Sequence, residues 1–386
     1  MNALVVRLMA NKATPAPSVV SRNSLQDAVE PVYSVMRLFA AWPAKRPKGG
    51  RGSVLTRALL LSVQVACLLL VGYEWVGVLQ DRVRYMRRGA GVTRTVLAIQ
   101  FLLYLAMFFT LPLMWRDAAR LPPVWEGWSH VQARLERVCG GRLAASRALS
   151  WRLAVLLLLL WPPIVAVPLM LLPEAEMPVR QAWFYAYPTL VTFSLKLLWM
   201  RLFTALRHAA ELLVSSFRTE SRDWSRPDAA ARLRTYRELW SSLSGIMQDI
   251  GVRGGLSLLC VQAIQVLSLL VCFVHIVISC LEGFTPAGLW IVSLTLTNAT
   301  TMVALSNAAH SVAHLMREIG SLLETTSTVG LTTAVDYEML VLRDTLAHKH
   351  AAVRLCGFVT VDRELVGEVL VVMMTYLMVL LQFALL

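Results

Sequence analysis

Seven apolar segments, each near the ~20 residues that a helix needs to cross a bilayer, constrain this chain more than any other feature. They cover residues 54–79, 95–115, 151–172, 182–206, 256–280, 288–306 and 366–386. The chain is 57% hydrophobic and 16% charged, whereas soluble domains carry about 25% charged residues. We therefore predict an all-α membrane protein with seven transmembrane helices.

Lysine and arginine are distributed unevenly between the two sides of the predicted membrane. Segments 1–53, 116–150, 207–255 and 307–365 hold 27 of them, and the loops on the other side hold 6. Because cytoplasmic loops carry the excess, we expect a cytoplasmic N-terminus and an extracellular C-terminus. The arginine-rich loop 80–94 runs against this assignment. The net charge of +13 then favours contact with anionic membrane lipids over nucleic acid.

The long loops on the inner side contain further helical patterns. Residues 228–251 and 308–326 repeat apolar side chains three and four apart, which predicts that the spans continue as helices beyond the membrane. Residues 336–357 predict one further amphipathic helix that ends at Gly357, and residues 24–40 predict a short one. The chain divides into four regions. Residues 1–53 form a cytoplasmic tail, 54–306 the first six spans with their loops, 307–365 an inner region and 366–386 the last helix.

The last span carries the stretch TYLMVLLQF, from Thr375 to Phe383, after the upstream stretch GFVTVDRELVGEVLVVMM. Thr-Tyr, five apolar residues and Gln-Phe resemble the signature of the arthropod gustatory receptor family, which is related to the insect odorant receptors. The resemblance implies a taste receptor of the plasma membrane that acts as a ligand-gated, non-selective cation channel. Four subunits would surround one pore lined by the seventh helix, as a homotetramer or with a related subunit.

The resemblance further implies an anchor domain formed by the inner helices, with residues 307–365, and a pocket for a small-molecule tastant in the outer half of each subunit. Monovalent and divalent cations would pass through the pore. The ligand could be a sugar, a bitter compound or another stimulus.

A stripe along the seventh span comprises Thr375, Val379, Gln382 and Leu386, and Phe383 borders it. Four copies would form hydrophobic rings that gate by dewetting, with a collar of amides that replace part of an ion's hydration. Alternatively, Gln382 only bonds to a neighbouring helix, as polar groups do in membranes. The family resemblance favours the pore.

Aromatic and polar residues in the predicted outer half form the candidate ligand pocket, since such residues line small-molecule sites. They are Gln100, Tyr104, Trp161, Trp183, Tyr187, His275, Trp290, Thr297 and Asn298. The alternatives are an aromatic belt at the lipid headgroups, above all for Trp183 and Trp290, and ordinary interhelical bonds for the deeper polar groups. Lys196 and Arg201 are expected to extend along the helix toward the inner interface.

No catalytic motif and no cofactor-binding motif occurs, so we predict that the chain is not an enzyme and binds no cofactor. His310 and His314 lie four residues apart but lack further ligands, so no metal site is expected. A secondary transporter of a small solute is the alternative function, because LWPPIVAVP at 160–168 could break a helix. Transporters contain two related halves, and no second segment matches this one.

Overall fold

The computed structural model describes residues 24–38, 109–141, 143, 179–222, 224–282, 286–326, 331–349 and 351–385, with single positions between 62 and 106. The described residues are almost wholly helical, as predicted. In chain order the elements are α1 (Ser24–Leu38), α2 (Thr110–Arg120), α3 (Pro122–Cys139), α4 (Val179–Glu220), α5 (Ala229–Glu282), α6 (Pro286–Thr325), α7 (Thr333–His348), β1 (Arg354–Leu355), β2 (Val359–Thr360) and α8 (Arg363–Leu385).

Three helices are far longer than a membrane span. Helices α4, α5 and α6 have 42, 54 and 40 residues, and at ~1.5 Å per residue α5 alone extends roughly 80 Å. They contain the fourth, fifth and sixth predicted spans and continue beyond them, which confirms the predicted helical extensions. Within the described residues, Tyr187–Glu220 and Ala229–Val274 are long and apolar enough to cross a bilayer. The third predicted span lies outside the described residues. Of the first span, only single helical positions are described.

The main hydrophobic core lies in what we call the inner bundle: α1, α3, α7 and residues 198–220, 229–258 and 305–325. Phe217 of α4 is fully buried there, and its ring lies 5.4 Å from that of Tyr236 in an edge-to-face arrangement. The indole nitrogen of Trp240 donates to the Met316 carbonyl at 3.1 Å. Large side chains from three long helices thus interlock within one chain.

Helix α1 confirms the short helix predicted near residues 24–40 and is fastened to α3 by polar contacts. The backbone N–H of Ser24 donates to Oε1 of Gln132 at 2.9 Å, and the indole N–H of Trp128 donates to the same oxygen at 3.2 Å. Its buried apolar side chains recur at helical spacing, at Leu25, Val29, Val32 and Met36. The described part of the N-terminal region therefore belongs to the inner bundle.

The helix predicted over 336–357 is shorter than expected. Helix α7 ends at His348, and a two-stranded antiparallel hairpin follows, in which Arg354 pairs with Thr360 and Leu355 with Val359. Cys356 and Gly357 make the turn with φ values of 53° and 81°. Gly357 thus serves a hairpin turn rather than a helix end, because two successive positive φ values reverse the chain between paired strands.

A glycine-containing stretch of α5 receives this hairpin. The Cys356 N–H donates to the Gly251 carbonyl at 3.1 Å, and a Cβ on Gly251 would lie 2.4 Å from the Arg354 carbonyl oxygen. From the other side, the buried Asp117 accepts the Ser257 N–H at 2.8 Å. Burial raises the pKa of Asp117 above its ordinary value, and the bond from Ser257 opposes that shift. Helix α2 and the hairpin therefore both contact α5 between Gly251 and Ser257.

Candidate functional site

Helix α8 packs on the rest of the chain through one narrow stripe. Val369 is buried, and Val366 and Met373 pack beside it against Leu269 of α5 and Met302 of α6. At the start of the helix, the Arg363 guanidinium donates to the Asn307 side-chain oxygen at 2.8 Å. Asp362 accepts the Leu365 N–H at 3.1 Å, so its carboxylate caps the helix. These contacts leave most of α8 without a partner inside the described chain.

The predicted pore stripe lies on the uncovered side of α8. Thr375, Val379 and Gln382 are all exposed, and the Thr375 hydroxyl donates to the Val371 carbonyl at 2.8 Å. At ~100° per residue, their stripe lies about 150° around the helix from the packed stripe. The side chain of Phe383 and the whole of Leu386 lie outside the described residues.

Two acidic residues, which sequence reasoning missed, share this side of α8. Glu364 and Glu368 are exposed, and at ~100° per residue they continue the line of Thr375 and Gln382 toward the start of the helix. From Glu364 to Gln382 the line is roughly 27 Å long, close to the thickness of the hydrocarbon core. The signal was present in the sequence, because extending the stripe upstream by seven and eleven residues reaches both glutamates.

The candidate pocket residues are only partly described. Tyr187 on α4 is buried, the Thr297 hydroxyl donates to the Ser293 carbonyl at 2.9 Å, and the Asn298 carbonyl accepts a bond from the Gln265 amide. Trp183, His275 and Trp290 lie in helices, but their side chains are outside the described part of the structure. Gln100, Tyr104 and Trp161 lie outside the described residues.

A buried polar cluster joins α4, α5 and α6 next to Asn298. Lys196 is 5% exposed, and its ammonium group donates to the Thr301 hydroxyl at 3.3 Å. The expectation that Lys196 reaches the interface is therefore wrong, because its side chain ends against α6 inside the bundle. Within the described residues, the side-chain oxygens of Gln262 and Gln265 are buried without a hydrogen-bond partner. Buried polar groups in a membrane helix face protein or water, and these groups lie between α4, α5 and α6.

Helices longer than a membrane span and a last apolar helix that is mostly uncovered are typical of a helical membrane protein. The family model described as 7tm chemosensory receptor matches residues 29–386. The chain belongs to this family of chemosensory receptors, which is not a class of enzymes. The resemblance found in the last span is thereby confirmed, and the family is one of multi-pass plasma membrane proteins.

Two kinds of relatives agree with this assignment. Gustatory and odorant receptor 24 of Anopheles gambiae is 24% identical over 371 residues, which cover 92% of this chain and 78% of that protein. The structure of the insect olfactory receptor OR5 from Machilis hrabei superimposes with a TM-score of 0.61 at 13% identity, covering 93% of this chain and 98% of that one. Its complex with eugenol gives 0.60 at 11% identity, with the same coverage. The chain shares the fold of these receptors.

Proposed function

We propose that this chemosensory receptor is a ligand-gated, non-selective cation channel in which four copies surround a pore lined by α8. The observation that carries the proposal is the polar line on the free side of α8. Glu364, Glu368, Thr375 and Gln382 are exposed on one face, and the packed stripe at Val369 lies on the other. One subunit alone gives Glu364, Glu368 and Gln382 no side-chain partner within the described chain, whereas four copies would arrange them around a shared aqueous path.

Exposure of apolar residues by itself does not require a pore, because lipid also covers such surfaces. Helix α6 exposes Leu296 and Val303, but Thr297 and Thr300 there donate to carbonyls of their own helix. A glutamine side chain is longer and offers two donors and an acceptor. A polar group without a hydrogen-bond partner in the hydrocarbon core raises the free energy by roughly several kcal/mol. Gln382 therefore favours water or a neighbouring subunit over lipid.

The two glutamates give the proposed pore its preference for cations. Rings of acidic side chains attract cations and raise their local concentration. Arg363, which could offset them, is turned to Asn307 on α6. Four subunits would place eight carboxylates near the inner mouth, where monovalent and divalent cations would enter or leave.

Neutralising both glutamates tests this assignment. In the Glu364→Gln/Glu368→Gln variant, we expect single-channel conductance at low ionic strength to fall roughly twofold or more, because the local cation concentration drops. The difference from wild type should shrink in concentrated salt. A matched control, Glu126→Gln, removes an exposed charge of α3 away from α8 and should leave conductance unchanged. Unchanged conductance in the double variant, or current carried by anions in wild type, would contradict the proposal.

We further propose that the ligand is a small molecule with hydroxyl donors that binds among α4, α5 and α6 beside the cluster of Lys196, Gln265 and Thr301. The free oxygens of Gln262 and Gln265 offer acceptors, and Tyr187, nine residues before Lys196 on α4, is buried. Gln265→Leu should raise the concentration of ligand needed for half-maximal current by roughly tenfold, the cost of one lost buried bond. Gln265→Glu preserves the acceptor and should respond more strongly than the leucine variant. Equal responses from wild type and Gln265→Leu to every hydroxyl-bearing stimulus would contradict this placement.

A further inference from the structure

A cleft of about 790 Å³ opens in the inner bundle between the second half of α6, the end of α7 and the β-hairpin. The apolar Met316 of α6 and Trp240 of α5 are among its lining residues. Four cationic side chains line it: Arg317, Arg343, Lys349 and Arg354. Two carboxylates, Glu324 and Asp362, face them. The lining therefore has an excess of two positive charges.

These four cations lack acidic partners in the part of the chain that the structure describes. The Arg343 guanidinium donates to the Leu323 carbonyl at 2.9 Å, and the Lys349 ammonium donates to the Ser241 hydroxyl at 2.6 Å. Arg317 only donates weakly to the Ala313 carbonyl of its own helix, at 3.4 Å. Arg317, Arg343 and Lys349 therefore each have N–H donors that are not bonded to a carboxylate.

Three arginines elsewhere in the inner bundle are paired across helices. Arg134 of α3 pairs with Glu238 of α5, and Arg218 of α4 pairs with Glu318 of α6. Arg237 of α5 reaches Glu338 of α7 at 3.4 Å. The cleft differs from these three places, because several unpaired cations line one concave surface there.

The field at the edge of the cleft is positive as well. His310 lies in the lining, and its pKa is lowered by partial burial and then by the charges of Arg363, Arg317 and His314. Asp362 acts in the opposite direction but does not reverse the shift. A mobile cation would be repelled from this position, and an anion would be attracted.

We infer that this cleft binds a polyphosphate, either free in solution or as the headgroup of a phosphoinositide lipid. Guanidinium groups bind phosphate through paired, charge-assisted hydrogen bonds. A volume of about 790 Å³ accepts a compact group that carries several phosphates. The inference does not depend on the channel proposal, because it concerns binding alone.

The position of the cleft allows both sources. His310 lies four residues past Ser306, where the sixth predicted span ends, which places it roughly 6 Å from that boundary. The cleft then continues to Glu324, about 21 Å further along α6. A lipid headgroup could enter at the near end, and a soluble polyphosphate could fill the deeper part. Thr360 and Asp362, which lead into α8, would lie against either occupant.

The test compares two double variants of the purified full-length receptor. Arg317→Gln/Arg354→Gln removes two charges from the cleft at side chains with little structural engagement. Arg137→Gln/Arg222→Gln removes two exposed charges elsewhere in the inner part of the chain. The probes are inositol trisphosphate in solution and phosphatidylcholine vesicles that carry phosphatidylinositol bisphosphate. Vesicles with phosphatidylserine, matched for total charge, report non-specific attraction.

We expect the cleft variant to lose at least roughly tenfold in affinity, since two charge-assisted contacts disappear. The control variant should bind like wild type, and both should unfold at the same temperature without probe. Binding of inositol trisphosphate identifies a soluble polyphosphate, and binding of phosphoinositide vesicles alone identifies a lipid headgroup. Equal losses in the two variants, binding to phosphatidylserine as tight as to phosphoinositide, or no binding of either probe to wild type would overturn the inference.

Discussion

The inner bundle and α8 differ in how far their side chains are covered by the rest of the chain. In the inner bundle, side chains such as Phe217 and Met316 are fully buried by helices of the same chain. Arginines there meet glutamates from other helices, as Arg218 meets Glu318. Helix α8 buries Val369 and little else, and it exposes Met378 at 63% and Val379 at 41%. The two regions lie in one chain, yet only the inner bundle is mostly covered by other parts of it.

This difference separates folding from function. The inner bundle holds enough buried surface to fold a subunit and keep α4, α5 and α6 in register. Helix α8 contributes little to that core, so its sequence is free to serve another environment. A helix that keeps glutamates and a glutamine on its uncovered face is suited to line water between subunits. We therefore assign stability to the inner bundle and propose that α8 serves ion passage.

The largest expected effect comes from opening the core of the inner bundle. Phe217→Ala should lower the free energy of unfolding by about 3–5 kcal/mol, because a fully buried ring is replaced by a cavity. Tyr376→Ala on α8 removes a ring that is 55% exposed and should change it by less than about 1 kcal/mol. Thermal unfolding of dissociated subunits in detergent measures both. Similar losses in the two variants would remove the distinction between the regions.

A smaller change in stability with a clear change in current is expected from α8. Val379→Ser should raise the current without ligand several-fold, because a polar ring no longer excludes water from the constriction. Leu370→Ser is the control, since Leu370 is also exposed but lies about 180° away around the helix. Whole-cell recording with matched surface expression gives the comparison. Raised basal current in the control but not in Val379→Ser would place the constriction on another face.

The sequence allowed the family, the long helices and the uncovered stripe of α8 to be predicted, because each depends on local patterns. Span length follows from apolar runs, and the stripe follows from helical spacing. The glutamates were within reach of the same argument. Glu364 lies just upstream of the predicted span 366–386 and Glu368 lies in its first turn, and both precede the stretch from Thr375 on which the stripe was based.

Features that depend on contacts between distant segments could not be predicted. The hairpin after α7 forms because residues near Cys356 bond to Gly251, about a hundred positions earlier in the chain. Lys196 was expected at the interface, and its burial depends on Thr301 from α6. That the cations of the cleft lack acidic partners in the described chain follows only from where the structure places the carboxylates.

Cysteine accessibility along α8 tests the central claim most directly. Single cysteines at 379 and 382 should react with a charged thiol reagent while the channel is open, and current should fall as they do. Cysteines at 377 and 381, which at ~100° per residue lie toward the packed side, should not block current. The opposite pattern, with block from 377 and 381 and none from 379 and 382, would contradict the account. It would turn α8 by half a turn and leave Gln382 as a contact between helices.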